Sequence, residues 1–427
     1  MAKICHKLTT TTWCSGVLQI YCVWVLLLIR YTYAEIDDTV VSHFVCNFAA
    51  MMDELIVKKV TTRREMDDFV CLPNRLYRDC AQYVPDMERD IRDAFNPKKN
   101  AGLAFCEVQA FVAYYWSKPV GRIVGIINHR ANEKWGTATV RFGMIEFIDH
   151  VEVSQALLTA VEQWGYQQGM TQIQGPLGIT DFDKEGMLVE NFDLMGAMTS
   201  IYNHAYYPQH MEALGYQKAV DWVHFRLQVP EELPARFERV TRLCKEVLGL
   251  RVRTMTKKKV QGDYARRAFD LFNQCYSRLF GFTEFTPEQT EEFIKKYLHL
   301  VDLRLVPVVE NKEGEIVGIA VTMVSLVEAL QKSRGRLWPL GWWHLLKALK
   351  WQRTNHVEML LVAVRPDYQG LGVNALFFEH LLTVYHEYGI KWAETGPQLE
   401  DNIKALAQWK SFSPEVVKRR RCYTKII

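Results

Sequence analysis

The chain predicts an α/β protein of two tandem, similar domains, each a mixed twisted sheet flanked by helices. Three observations carry this expectation. Strand-like and helix-like runs alternate from about residue 53 to the end. Short matches recur in the same order in both halves. Near the end, an apolar strand leads through a tight glycine turn into a helix.

The matches fix the organisation. Gly121-Arg122-Ile123-Val124-Gly125-Ile126 reappears as Gly314-Glu315-Ile316-Val317-Gly318-Ile319. The stretch from Gly169 to Gly175-Pro176 pairs with Gly389 to Gly396-Pro397. Met211-Glu212-Ala213-Leu214-Gly215 pairs more weakly with Trp409-Lys410-Ser411-Phe412-Ser413. The uneven spacing places extra residues near 179–207 in the first half and near 327–355 in the second.

In chain order, the first half reads as a strand at 53–60, helices at 62–77 and 86–94, and strands at 104–115, 120–128 and 138–148. A helix at 151–167, a fifth strand and a closing strand follow. The second half repeats this with a strand at 250–257, helices at 261–279 and 287–299, strands at 302–310, 315–325 and 357–364, a helix at 374–387 and two last strands. Val229-Pro230-Glu231-Glu232-Leu233-Pro234 breaks the pattern between them. The expected divisions are therefore 1–50, 51–229 and 235–427.

Composition bounds the function. Hydrophobic content of 49% and charged content of 24% over 427 residues suit a folded protein of two or three domains. A net charge of +3 gives no nucleic-acid signature. Lys418-Arg419-Arg420-Arg421 reads as a solvated strand end. The ten cysteines show no C-x-x-C and no zinc spacing, so no metal is expected and a reducing, cytoplasmic setting fits. Residues 1–50 differ. Trp13 to Ile29 is almost wholly apolar, with Lys3 and Lys7 before it and Arg30 after it. A signal or membrane anchor and a true start at Met51 or Met52 both fit that stretch.

The glycine turn carries the chemistry. Strand Val357–Val364 runs into Arg365-Pro366-Asp367-Tyr368-Gln369-Gly370-Leu371-Gly372-Val373-Asn374, then a helix. Glycines let the backbone bend, and N–H groups at a helix start converge on an anion such as a pyrophosphate. The matching position in the first half, Phe147 to Ser154, has no glycine and places Asp149 and Glu152 where phosphates would sit.

These residues resemble the signature of the Gcn5-related N-acetyltransferase superfamily, Arg/Gln-x-x-Gly-x-Gly/Ala after the fourth strand. Gln369, Gly372 and Asn374 take its positions, with Asn replacing the last small residue. The element order is also that of this fold. Leu72-Pro73-Asn74-Arg75-Leu76-Tyr77 and Asn96-Pro97-Lys98-Lys99-Asn100 look like a group of bacterial tandem acetyltransferase-like proteins. The resemblance implies transfer of an acetyl or longer acyl group from acyl-CoA to a small-molecule amine, at one site in the second half. Gln369, Gly370, Leu371, Gly372, Val373 and Asn374 would hold the pyrophosphate. The backbone of Val362 and Val364 would meet the pantetheine arm and the oxyanion.

The same resemblance implies a base on the fourth strand, for which Glu358 is the candidate and Glu394 the second choice. An Asn-x-x-Ala-x-x-x-Tyr arrangement would supply the acid. Asn402 and Ala405 fit it, but Trp409 stands where the tyrosine belongs, which leaves Tyr423 as a substitute or no acid at all. Two alternatives stay open: a long-chain, carrier-protein-linked donor as in N-acyl amino acid synthesis, and a CoA-binding sensor or scaffold without turnover. The Trp-rich stretch 334–351 reads either as a lid or membrane-surface contact, or as a helix packed on the first half. The aromatics and methionines of 187–207 read as an interface core.

Overall fold

The computed structural model describes residues 55–253, 255–256, 263–298, 300–351 and 354–427. The apolar stretch from Trp13 to Ile29 lies outside them. Strand β1 (Leu55–Lys59) leads to helix α1 (Arg63–Leu76). Thr62 and Glu65 close a reciprocal capping box there, and the backbone donors at Thr61 and Thr62 hold the Glu65 carboxyl down at about 2. Helix α2 (Glu88–Ala94), strands β2 (Cys106–Tyr115) and β3 (Lys118–Asn128), and helix α3 (His129–Trp135) follow. Then come β4 (Thr139–Phe147), α4 (Val151–Gln167), β5 (Gln172–Gly175), β6 (Met187–Glu190), α5 (Tyr206–Ala213) and β7 (Gln217–Gln228).

The second half opens with α6 (Ala235–Glu246), whose N-cap Pro234 belongs to the break seen in the sequence. It continues with β8 (Arg251–Arg253), α7 (Ala265–Tyr276), α8 (Pro287–Tyr297), β9 (Val308–Glu310) and β10 (Ile316–Val324). The extra residues form α9 (Val327–Ser333) and α10 (Gly341–Lys350). Last come β11 (His356–Val364), α11 (Val373–Tyr388), β12 (Trp392–Thr395), β13 (Gln398–Leu399), α12 (Ile403–Ala407) and β14 (Glu415–Ile426).

One expected element is much shorter than its sequence pattern. The strand read at 302–310 pairs only over Val308–Glu310. Asp302 accepts the Arg304 N–H and starts a 3-10 turn over Leu303–Leu305, and Pro307 removes a ladder donor just beyond it.

A single sheet holds all the strands, in the order β1-β2-β3-β4-β5-β14-β7-β12-β11-β10-β9-β8, with β6 and β13 as side branches. Its centre is an exchange. β14, from the end of the chain, pairs with β5 of the first half, while β7, which closes the first half, pairs with β12 of the second. β7 and β14 then run antiparallel to each other over Gln217–Arg226 and Glu415–Thr424. Residues 56–427 accordingly form one compact unit.

The exchange explains a departure from the sequence reading. The basic run at 418–421 is a central strand rather than a solvated end, with Lys418 2% and Arg420 0% exposed. Alternation along the strand sends them to one face, where Lys418 meets Glu394 at 2.5 Å. Arg420 donates to His224 Nε2 (3.2 Å), Ser200 Oγ (2.7 Å) and the carbonyls of Gly186 and Ile201. His224 completes the row: its Nδ1 lies 3.1 Å from the Thr395 carbonyl, so Nδ1 carries the proton and Nε2 accepts from Arg420.

The Trp-rich insertion packs on the first half at its root alone. Gln331 Nε2 donates to the carbonyls of Ala81 (2.7 Å) and Tyr83 (3.0 Å), and Arg336 pairs with Glu88 at 2.7 Å. Its tryptophans face out, which corrects the reading of an aromatic face packed on the first half. In the other insertion Met187, Tyr202 and Tyr207 are buried, whereas Met195 is exposed.

Because β14 fills the gap between β5 and β7, a fragment ending at residue 229 lacks a central strand and leaves the edge of β5 and the long edge of β7 open. Expressed alone, such a fragment should aggregate; co-expressed with 230–427 it should be recovered as a soluble complex. Gel filtration of the two preparations checks this.

Candidate functional site

Strands β11 and β12 run parallel only over His356–Met359 and Trp392–Thr395. The Gly396 N–H closes this ladder on the Met359 carbonyl at 2.7 Å, and β11 then continues to Val364 with no strand on that side. A register shift between Val321 and Thr322 leaves Leu360 without a partner on β10, so the strand bulges where the ladder opens. Arg365 N donates to the Val317 carbonyl at 2.9 Å. The period of two therefore turns the backbone groups of Val362 and Val364 into the opening.

At the top of the opening, Pro366–Tyr368 forms a 3-10 turn. Gly370 (φ 81°) and Gly372 (φ 91°) then carry the chain left-handed into α11. A Cβ on Gly370 would meet open space, whereas one on Gly372 would come 2.1 Å from Val240 Cγ1 on α6. Gly372 therefore lets α6 and α11 pack closely, as the Cys244 thiol on the Leu371 carbonyl (3.2 Å) also shows. Among the described residues the N–H groups of Gly370, Gly372, Val373 and Asn374 find no acceptor. They form a cluster of free donors at a helix start. The Asn374 amide donates to Gln408 Oε1 at 2.8 Å, and its Oδ1 is buried with no partner. These residues suit an anionic, amide-bearing ligand such as the pyrophosphate and pantetheine of CoA.

The other expected cofactor residues are engaged in the free protein. Gln369 Nε2 folds back on the Val364 carbonyl at 3.0 Å, and Leu371 is exposed. Cys275 Sγ also donates to Val364 O (3.1 Å), and the Tyr276 hydroxyl donates to Val362 O (3.0 Å). Both come from α7, and sequence reasoning did not single them out.

The expected catalytic residues fare unequally. Glu358 is 4% exposed on the face of β11 that carries Leu361 and Ala363, opposite α11. It accepts from Met198 N, Thr199 Oγ1 and Ser325 Oγ, each at 3.2 Å. Burial, then the charge of Glu394, pushes its carboxyl up, while those donors oppose the shift. Glu394 is its register partner on β12 and is committed to Lys418. Asn402 caps α12 through the Ala405 N–H. Trp409 is core, 1% exposed, its indole N–H on Gln398. Tyr423 is not part of this constellation. It sits on β14, which β7 and β12 separate from β11, and its hydroxyl is buried without a partner.

The first half brings a segment that sequence reading passed over. Phe182 packs into an aromatic cluster with Phe272, Phe285 and Phe293, with ring centroids 4.7–4.9 Å apart, and the cluster also includes Tyr276 and Leu361. Asp181, Asp183 and Glu185 flank that ring. Burial pushes the Asp181 carboxyl up to about 7 against Arg141 and Lys134. Arg141 reaches across from β4, donating to the carbonyls of Gly178 (3.1 Å) and Gly281 (2.8 Å). The spacing Asp181-Phe182-Asp183-Lys184-Glu185 was the available signal; only the fold shows which strand it faces.

The corresponding place in the first half is filled. β4 pairs β5 over Thr139–Arg141 alone and bulges near Met144, in the same way as β11. There, however, Tyr207 OH accepts the Phe147 N–H (3.0 Å) and Tyr206 OH donates to the Phe147 carbonyl (2.6 Å). Glu146 takes the hydroxyls of Tyr77 (2.6 Å) and Tyr207 (2.9 Å). Helix α4 starts at His150 with no left-handed glycine, and Asp149 is held by His210 at 3.0 Å.

No known family profile matches the chain. It is 27% identical over 378 residues to Protein YghO of Escherichia coli (strain K12), covering 87% of this chain and 95% of that protein. It is 28% identical over 318 residues to a bacterial ceramide synthase of Caulobacter vibrioides (strain NA1000 / CB15N), covering 74% and 82%. Among solved structures, a tandem GNAT protein from the clavulanic acid biosynthesis pathway superposes with a TM-score of 0.52 at 13% identity, covering 87% of this chain and 98% of that one.

Burial raises the Glu146 carboxyl from 4.5 to about 7 in the folded chain. Between those values the folded chain keeps a proton that the unfolded chain has released. The stability from this group is therefore complete below pH 4.5 and lost as pH rises through 7, by roughly 3 kcal/mol in all. Glu146→Gln should flatten that slope, as urea midpoints measured across the window would show.

Proposed function

We propose, from the premise that this chain has the tandem Gcn5-related N-acetyltransferase fold, that it is an N-acyltransferase using acyl-CoA, with one donor site in its second half. The observation that carries the proposal is the left-handed turn at Gly370 and Gly372, whose free N–H groups stand above the parting of β11 and β12. The plugged opening beside β4 supports a single site, because Tyr206 and Tyr207 already satisfy the backbone of Phe147.

In this reading the pyrophosphate of the donor sits on the N–H groups of Gly370 to Asn374. The pantetheine arm runs down the free side of β11, and the thioester comes to rest near the Leu360 bulge. The Tyr276 hydroxyl must release the Val362 carbonyl as the arm enters, which places a proton donor beside the thioester. The acceptor amine approaches on the face shared by Glu358, the aromatic cluster and the Asp181–Glu185 segment. The amine attacks the thioester carbonyl, the C–S bond breaks, and the amine proton passes to Glu358. The hydroxyls of Ser325 and Thr199, each hydrogen-bonded to Glu358, would serve as a one-step relay. The thiolate leaves as the CoA thiol after protonation.

The relative named a bacterial ceramide synthase supports a long-chain version of this chemistry, since a ceramide is an N-acylated long-chain amino alcohol. A turnover assay pairing acyl-CoA donors of increasing chain length with a long-chain amino alcohol and with short amines separates acetyl from long-chain transfer.

Gly372→Val should weaken CoA binding at least about tenfold, because the added atoms displace α6 from the turn. Isothermal titration with CoA measures this, and unchanged affinity would remove the donor assignment. Glu358→Gln should lower kcat by about a hundredfold or more with CoA affinity retained. In the wild type kcat should rise with pH through a carboxyl titrating above the ordinary glutamate value, because the base must be ionised and burial holds its pKa up. A pH profile of the two proteins shows whether that limb disappears with the carboxylate.

A further inference from the structure

The segment 334–351 forms an arm whose root is fixed and whose helix α10 packs on α9 while its tryptophans stay exposed. At the root, Asn74 donates to the Arg334 carbonyl at 3.1 Å and Glu88 N to the Gly335 carbonyl at 2.9 Å. Gly335 has φ +70°, and a Cβ there would come 2.0 Å from the Asp86 carbonyl oxygen, so the arm leaves the body at a defined angle. At the tip, Trp338 is 80% exposed, Leu340 63%, Trp351 62%, Trp342 45% and Trp343 43%. The indoles adjoin one another, with centroids 5.9 Å apart for Trp342 and Trp343 and 5.8 Å for Trp343 and Trp351. This is one contiguous aromatic patch rather than scattered apolar residues.

Along the sequence the charge around the patch has one sign, although Arg336 pairs with Glu88 and Lys332 with Glu328 at its root. No Asp or Glu occurs between Glu328 and Glu358, while Lys332, Arg334, Arg336, Lys347, Lys350 and Arg353 lie in that interval. Lys347 and Lys350 have no ion-pair partner among the described residues. α10 spans 10 residues, or about 15 Å, half the thickness of a bilayer core, so it can lie on a membrane but not cross it. No helix among the described residues is long and apolar enough to cross. Exposed tryptophan and leucine beside the unpaired Lys347 and Lys350 match the boundary of an anionic bilayer, where indoles settle at the headgroup level and lysines meet phosphates.

We propose that the arm 334–351 is an interfacial anchor that holds the protein against an anionic lipid surface. This rests on the arm alone and stands or falls without turnover. It is tested with full-length protein sedimented with vesicles of phosphatidylcholine, with and without phosphatidylglycerol. The wild type should bind the anionic vesicles more tightly, less so as salt rises, and its tryptophan emission should shift to the blue. The combined variant Trp338→Ser, Trp342→Ser, Trp343→Ser and Trp351→Ser should lose at least about tenfold in partition coefficient. Lys347→Glu with Lys350→Glu should lose binding to anionic vesicles only. An unchanged thermal midpoint shows that the variants fold. Any binding through residues 1–50 is common to all three proteins. Equal partitioning by wild type and both variants would overturn the proposal. So would absence of wild-type binding to either vesicle, or a wild-type dimer in sedimentation that the tryptophan variant abolishes without changing lipid binding.

Discussion

The exchange of closing strands is the constraint on which everything else rests. β7 and β14 each complete the sheet that the other half began, so neither half is a finished structure without its partner. The exchange also carries a row of buried polar and charged groups across four adjacent strands: Glu358 on β11, Glu394 on β12, the neutral His224 on β7, Lys418 and Arg420 on β14. Burying such groups costs several kcal/mol apiece unless each finds partners, and removing one member of a pair typically costs about 3–5 kcal/mol. Here the partners come from strands distant in sequence, so the row is satisfied only in the exchanged register. A slip of one residue would turn the charges to the opposite face of the sheet.

That architecture lets two similar halves take different tasks. Both fourth strands bulge and part from their fifth strands. In the first half the gap is closed by tyrosine hydroxyls, one accepting the Phe147 N–H and the other donating to its carbonyl. In the second the strand stays open, and only its carbonyls are held by groups that can let go. The first half also projects loops onto the second. Met198 and Thr199 hold Glu358, and Phe182 enters the aromatic cluster beside β11 with its flanking acids. The first half thus contributes contacts to the same face of β11 that carries Glu358 and Leu361.

Glu358 illustrates how burial and hydrogen bonding oppose each other. Three donors favour the carboxylate, while the desolvated setting and the Glu394 charge disfavour it. The net shift is upward, because burial outweighs the three donors. Burial likewise raises the Asp181 carboxyl to about 7, against the opposing charges of Arg141 and Lys134.

The sequence by itself determined the local structure and the repeat. Hydrophobic periodicity and paired glycines are short-range signals; they mark most of the strands, the helices read at 62–77, 86–94, 151–167, 261–279, 287–299 and 374–387, and the turn at Gly370 and Gly372, but pass over α3, α5, α6 and α12. The same logic failed for the strand at 302–310, where a side-chain cap and a proline outweighed the apolar pattern. Tertiary structure decided what no local signal carries. It put Lys418 and Arg420 inside, because β14 crosses to the other half's sheet. It left Tyr423 separated from β11 by two strands, and brought Tyr276, Thr199 and Phe182 to that strand from segments about 80 to 180 residues away along the chain. Strand partnership is a long-range choice, settled by the pairing of edges and the compensation of buried charge, and a linear pattern of apolar residues does not encode which edge a strand will meet.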